Sequence, residues 1–517
     1  MKTPLAGAIA LALALVPSIP AAGQAGLDPR ALEEKVRALE ARQAESEAAL
    51  EKLKAALAAA PSATSAEELK RRLEALEEEQ AATRAGLAEL RAASARKDPG
   101  PVEPAGLVPK SIPLFGSSGP VSSGTSFNPS ITVIPDVVWS RDDVKGEAGE
   151  ILGEADGFHG ARAGGGHGHG HGGLSQGFNL RETEIGFSAS VDAYFDAQAL
   201  FAVREEGVEA EEVYFQTRRL PWGLQLKGGK LLSGIGYANA HHPHQWDFAD
   251  QSLAYELLLG GNGLNEKGVQ LTWVPKLPFY LKVGAELLQG ENEKLASYLG
   301  PEELPGLGGE GAPRVLSEKG GPRLFTGFVK VGPDLGYSSA LQVGFSLVSS
   351  RRHQEVHDED ADGVPEEVLD GTATLWGVDA VYKYDSPRPQ GAGDLVLQAE
   401  YLARKRDLDV LGTLDTAVFR QDGAYVQAVY GLLPRLQLGA RWDVAGLTNE
   451  RVRGGARSAY DSSSRFTAAL TFNPTEFSRL RAQYESATIR VDGGKETWGR
   501  FLLQLQLSLG AHGAHAF

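Results

Sequence analysis

Near the end of the chain, Phe501, Leu503, Leu505, Leu507 and Leu509 alternate with Leu502, Gln504, Gln506 and Ser508. A period of two with one apolar face and one mostly polar face is the signature of a strand whose sides meet different solvents. The rhythm recurs upstream: Leu341, Val343, Phe345 and Leu347 form one apolar row, and Leu436, Leu438, Ala440 and Trp442 another. Counting such blocks predicts about sixteen strands between residues 130 and 510. The connections predicted between them alternate in length. Short turns fall at Asp192-Ala193-Tyr194, Lys276-Leu277-Pro278 and Leu433-Pro434, and most long segments, at 141–178, 237–266, 290–322, 351–372, 409–423 and 448–463, fall between such turns. Short turns on one side and long loops on the other are how a membrane β-barrel is wired, with the short side in the periplasm. The predicted fold is an all-β transmembrane barrel of about sixteen antiparallel strands over 126–517, preceded by an α-helical coiled coil.

Opposite the apolar rows lie Arg435, Gln437, Arg441 and Asp443, and in the penultimate strand Arg479, Arg481, Gln483 and Glu485. Arg435, Arg441, Arg479, Arg481 and Glu485 are therefore expected to line a water-filled lumen, since a packed barrel would set apolar layers there.

The amino-terminal pattern differs. Lys2, an apolar run from Leu5 to Val16 and small residues near Ala22 read as a signal peptide over 1–25. Leu32, Val36, Leu39, Leu50, Leu53 and Leu57, then Leu69, Leu73, Leu76, Leu87 and Leu90, fall at heptad spacing on either side of Pro61 and predict a periplasmic coiled coil over 26–95. Gln43, Ser46, Gln80 and Thr83 occupy the same seam, where polar residues set register at some cost in stability. Residues 96–125, rich in Pro, Gly and Ser, read as a flexible linker.

Composition narrows the function. The 517 residues include no Cys, which removes disulfides, thiolate metal sites and Cys nucleophiles. A net charge of −16 argues against a nucleic-acid partner. No nucleophile elbow, zinc-hydrolase helix or phosphate-cradling loop occurs, so the reading is non-enzymatic and no cofactor is required.

The export signal, the coiled coil ahead of the barrel, the segment Asn473-Pro474-Thr475-Glu476-Phe477-Ser478-Arg479-Leu480-Arg481, the His-rich first loop and the terminal Phe517 together resemble bacterial outer-membrane porins. The likeness is to general trimeric porins, and more closely to phosphate-selective-porin-type barrels and a related group called zinc-regulated outer-membrane proteins. It implies outer-membrane lipid as surroundings, the barrel-assembly machinery and a homotrimer as partners, and passive diffusion of small hydrophilic solutes or ions. The runner-up readings are a tether joining the outer membrane to the cell wall through the coiled coil, and a metal-scavenging surface receptor.

In porins of this type the third outward loop folds into the barrel. Here that loop carries His241, His242, His244, Asp247 and Asp250, which either form the pore constriction or only hydrogen-bond the loop to the wall. His241 and His244, with the first-loop residues His167, His169 and His171, are candidate ligands for Zn²⁺. Asp358, Asp360 and Asp362 have the spacing that opens a Ca²⁺ loop, although Leu369 stands where the bidentate Glu belongs.

Overall fold

A computed structural model describes residues 129–144, 148–163 in part, 174–298, 320–357 and 367–510, a few single positions excepted. The segments predicted as signal peptide, coiled coil and linker, with His167, His169, His171, Asp358, Asp360, Asp362 and Phe517, lie outside the described residues.

The sixteen alternating blocks form sixteen antiparallel barrel strands: β1 Ser130–Asp142, β2 Gly177–Ser190, β3 Phe195–Arg204, β4 Gly207–Thr217, β5 Leu224–Leu232, β6 Asn265–Trp273, β7 Tyr280–Leu288, β8 Leu324–Gly332, β9 Ser339–His357, β10 Glu367–Tyr384, β11 Leu395–Val410, β12 Thr416–Leu433, β13 Leu436–Arg453, β14 Ser463–Thr475, β15 Ser478–Val491 and β16 Gly494–Leu507. Each pairs with its chain neighbours, and β1 pairs antiparallel with β16 from Asp136↔Gln506 to Asp142↔Arg500. The sheet is closed, so no strand leaves an unpaired edge, the condition for crossing a bilayer with strands. No helix among the described residues is long and apolar enough to cross a membrane.

Burial follows the alternation. Val343, Phe345 and Leu347 on β9, Leu438 and Trp442 on β13, and Leu503, Leu505 and Leu507 on β16 are exposed on the outer face. Gln342 and Ser346 on β9, Arg441 and Asp443 on β13, and Gln504 and Gln506 on β16 are buried within. Tyr194, Trp222, Trp273, Phe279, Tyr337, Phe472 and Phe477 are exposed at the short-turn end, where they make an aromatic girdle.

One expectation is corrected. The segments 351–372, 409–423 and 448–463 are largely ladder: β9 to β13 run for 16 to 19 residues each, where a membrane crossing takes about 9–11. Their outward thirds carry polar groups outside and a mixture of charged and apolar groups inside, Leu408 and Phe419 among the latter, which removes the outward apolar row while backbone pairing continues. Leu369 and Asp370 accordingly pair with Val410 and Asp409 on β11. Arg435 is a turn residue with φ +65° ahead of β13, at the short-turn end, where it lines a cavity of the lumen. Arg441, Arg481 and Glu485 do point inward, but they are at most 3% exposed. What covers them is the third loop.

Candidate functional site

The loop from 233 to 264 leaves β5, crosses the lumen and returns to β6. Its two ends are tied together by Asn239, whose Nδ2 donates to Ser233 O (2.9 Å) and Leu264 O (3.1 Å) while its Oδ1 accepts from Leu264 N (2.7 Å). The inward turn is made at Gly236, with φ +56°. A Cβ there would stand 2.2 Å from Tyr255 Oη and 2.5 Å from Glu400 Oε2, so only glycine fits. Glu400 on β11 then receives the backbone N–H of Tyr237 (2.9 Å) and Ala238 (2.8 Å) and the Tyr255 hydroxyl (2.8 Å).

Beyond this root the loop meets two walls of opposite charge. On the β2–β4 side, His242 and His244 reach three buried carboxylates. His242 Nε2 is 3.0 Å from Glu212 Oε2, and its Nδ1 lies 3.4 Å from Glu211 Oε2 and 3.9 Å from Glu184 Oε2. His244 Nδ1 is 3.0 Å from the same Glu184 oxygen, and the two imidazoles stack at 5.9 Å. Burial alone would lower the His242 pKa, but its bonds to Glu211 and Glu212 and the charge of Glu184 carry it well above the ordinary histidine range. His241 takes no part: its Nδ1–H donates to Tyr237 O at 2.8 Å and its ring packs on Tyr237.

On the β13–β16 side the loop presents oxygens to arginines. Arg479 donates to His244 O (2.9 Å) and Arg481 to Trp246 O (2.8 Å). Asp250 accepts from Arg441 (2.8 Å) and Arg465 (3.0 Å), both themselves bonded to Asp443. Burial would raise the Asp250 pKa, yet Arg441 and Arg465 hold it well below the usual carboxylate range. Asp247 accepts from Gln427 Nε2 at 2.9 Å. The helix Leu253–Leu258 then packs its buried leucines against β11, β12 and β13, with Ala254 over Gly423. The five loop residues expected at the constriction are thus all inside the barrel, and three of them ion-pair with the wall. The seam of arginines expected to be wet is the loop's anchor.

Cavities remain on both faces of the loop. Toward the short turns lies one of about 440 Å³, lined by Asp247, Lys383, Gln398, Arg435 and Arg479 among others. Toward the long loops lies one of about 30 Å³, lined by Glu209, Glu211, His242 and Gly263 among others. Ala238, His241, Trp246 and Gln251 line both.

No family model matches the chain. A curated relative from Aquifex aeolicus (strain VF5), described as "Uncharacterized protein", is 35% identical over 348 residues, which span 66% of this chain and 70% of the relative. The chain belongs to that protein's family. The relative's description names no activity. Among solved structures, OmpTdeltaL8 of the outer-membrane protein OmpT from Vibrio cholerae gives a TM-score of 0.44 at 13% identity, over 74% of this chain and 99% of that one. The outer membrane channel DcaP of Acinetobacter baumannii gives 0.45 at 11%, over 74% and 96%. The anion-selective porin from Comamonas acidovorans gives 0.44 at 8%, over 74% and 99%. Likenesses this distant decide nothing about what the present barrel passes or binds.

Sequence reading missed Glu184, Glu211 and Glu212. Glu211 and Glu212 are consecutive, so simple alternation would turn one of them outward. A β-bulge makes both face the lumen: Leu200 on β3 pairs with Glu212 and Phe201 with Ala210, leaving Glu211 as the extra residue. The density of carboxylates at Glu182, Glu184, Glu209, Glu211 and Glu212 was the available signal.

Proposed function

We propose that the protein is an outer-membrane pore for passive diffusion of small hydrophilic solutes or ions, divalent metal among them, with loop 233–264 as its constriction. The observation that carries this reading is the loop's placement: it is pinned across a closed, polar lumen, with cavities on both faces that share Ala238, His241, Trp246 and Gln251. An apolar, aromatic-rimmed outside with a polar inside is stable only where hydrocarbon meets the one and water the other. On this reading a solute crosses from one cavity to the other beside the His241 imidazole and the Trp246 indole, which line both, so the pore selects by size first and by charge through the walls behind them. Assembly as a homotrimer, insertion by the barrel-assembly machinery and a periplasmic coiled coil over 26–95 belong to the same reading. An oligomer that survives mild detergent and dissociates on heating tests the first of these.

The test of transport is electrical. Purified protein added to a planar bilayer is expected to give discrete conductance steps, and reversal potentials in unequal salt then give the ion preference. Correctly folded protein that never conducts would end the pore reading.

One observation favours a second reading. The loop is held on both walls and at its root, and Arg441, Arg465 and Arg481 are each at most 3% exposed beneath it. A barrel so filled also suits a membrane anchor for a cell-wall tether. Deleting residues 26–95 separates the two: envelope blebbing with unchanged solute uptake favours the tether.

A further inference from the structure

The cluster at the β2–β4 wall has a geometry that hydrogen bonding to the loop does not by itself require. One donor atom from each of Glu184, Glu211 and His242 lies within 4.8 Å of the other two, and all three residues are buried. A tetrahedral divalent ion with bonds of about 2.0–2.1 Å sets its ligand atoms about 3.3 Å apart. His242 Nδ1 and Glu211 Oε2 already stand at 3.4 Å, and Nδ1 and Glu184 Oε2 at 3.9 Å. The Glu184 and Glu211 oxygens stand within 4.8 Å of each other, so a bound ion would draw the three ligands together.

The outer partners are those of a metal centre. Glu212 takes Nε2 of His242, which turns Nδ1 toward Glu184 and Glu211. His244 donates to Glu184 and fixes that carboxylate in turn. Metal-bound imidazoles and carboxylates are oriented by such second bonds, and their loss typically weakens binding about 10–100-fold. Independently of the side chains, the cavity of about 30 Å³ on the outward face is lined by Glu211 and His242. That exceeds the roughly 10–15 Å³ that one water needs, which leaves room for an ion's open coordination position.

We propose that Glu184, Glu211 and His242 form a binding site for a divalent transition-metal ion, with Glu212 and His244 as positioning residues, and that the ion clasps the lumen loop to the β2–β4 wall. Two carboxylate oxygens and one imidazole nitrogen suit Zn²⁺ and similar borderline cations better than Ca²⁺, which asks for six or more oxygens. Because Glu184 and Glu211 belong to the wall and His242 to the loop, the bound ion joins the two. The site depends on the loop's seat in the lumen and not on conduction.

The experiment uses the full chain in detergent, carrying His167→Ser, His169→Ser and His171→Ser so that the His-rich segment contributes nothing. Zn²⁺ alone is the probe, followed by calorimetric titration and by metal analysis after desalting. The expected result is one tightly held Zn²⁺ per chain and a higher melting temperature with Zn²⁺. Glu184→Gln combined with Glu211→Gln is expected to weaken binding at least 100-fold, and Glu212→Gln about 10–100-fold. Slower electrophoretic migration after heating confirms that each variant had folded. Should the double variant fail to fold, Glu212→Gln, which removes no ligand, still decides the case. Three results would overturn the proposal: no Zn²⁺ held by the parent protein, the cluster then being closed by a protonated His242; equal affinity in parent and variants; or binding abolished by His241→Ala and untouched by Glu184→Gln. Bilayer conductance of the same samples is scored separately, so a silent channel that binds Zn²⁺ and a conducting one that does not are told apart.

Discussion

Asp250→Ala removes a carboxylate that holds the loop to the basic wall and leaves the barrel strands untouched. In the native arrangement the Asp250 carboxylate sits between two guanidiniums, 2.8 Å from Arg441 and 3.0 Å from Arg465, with all three side chains at most 8% exposed. Removing one member of a buried ion pair costs about 3–5 kcal/mol, because the partners stay buried with their charge uncompensated. Here Asp443 remains 3.0 Å from Arg441 and 3.3 Å from Arg465, and Glu256 3.3 Å from Arg465, which places the loss near the lower figure. The barrel ladder does not depend on Asp250, so the strain is relieved by the loop leaving the wall. A change of about 3 kcal/mol shifts the ratio of seated to unseated loop by about 100-fold. Single-channel recording reads this directly: a steady level in the parent protein becomes frequent steps to a larger conductance in Asp250→Ala. Adding Arg465→Met to Asp250→Ala removes the stranded charge as well and is expected to restore part of the steadiness, a coupling that independent residues would not show. Identical open levels and noise in parent and Asp250→Ala would refute the latch. Loss of heat-modifiable migration in the single variant would show instead that Asp250 supports the barrel.

The same carboxylate sets a pH response. Its folded pKa lies below its ordinary value of 3.8, so its stabilising contribution is complete above that value and is lost only as pH falls through the lower folded one; noise from its release should rise only in strong acid, and a change between pH 7 and pH 4 would come instead from Glu256, whose carboxyl is pushed up to about 7 by burial. Gly236→Ala puts a methyl group against Tyr255 and Glu400 at a positive φ and should unseat the loop root, seen as faster proteolysis within 233–264 while the barrel persists. Trp246→Ala enlarges the passage shared by the two cavities and should raise unitary conductance; no increase would place the constriction elsewhere. Deleting 26–95 should leave conductance of the isolated barrel unchanged.

The barrel was legible because hydrocarbon and water impose a period of two on every crossing strand. Phe345 and Leu347 outward with Ser346 inward is that rule at work. It stopped working where one of its two solvents was missing. Beyond the membrane the outward thirds of β9 to β13 meet water outside, and inside they set charges beside a small apolar cluster that includes Leu408 and Phe419, so Glu355 on β9 and Arg406 on β11 give no alternation although both are buried and bonded to each other. Parity also failed at the bulges. Arg181 and Glu182 both face inward because the β1–β2 register shifts after Asp136, as Glu211 and Glu212 do on β4. A single extra residue is invisible in a hydropathy pattern, and it doubles the number of charged groups presented at one level of the lumen.

The loop's own sequence acquires a meaning once the wall is known. Its imidazoles come first, at His242 and His244, and its carboxylate follows, at Asp250. The wall is ordered the other way, with Glu184, Glu211 and Glu212 on β2 and β4 and with Arg441, Arg465, Arg479 and Arg481 on β13 to β15. Opposite charges buried at close range attract by several kcal/mol even at an effective dielectric constant of about 20, and like charges repel by as much. A loop laid across in the reverse sense would therefore set imidazoles on guanidiniums and Asp250 on three carboxylates. The polarity of the crossing is thus fixed by charge, while its depth is fixed by Gly236 at one end and by the helix Leu253–Leu258 at the other. A lumen with acid on one side and base on the other also carries a field across the path of any solute, so groups that border the passage without belonging to either wall, His241 and Trp246, can be changed for size without disturbing that field.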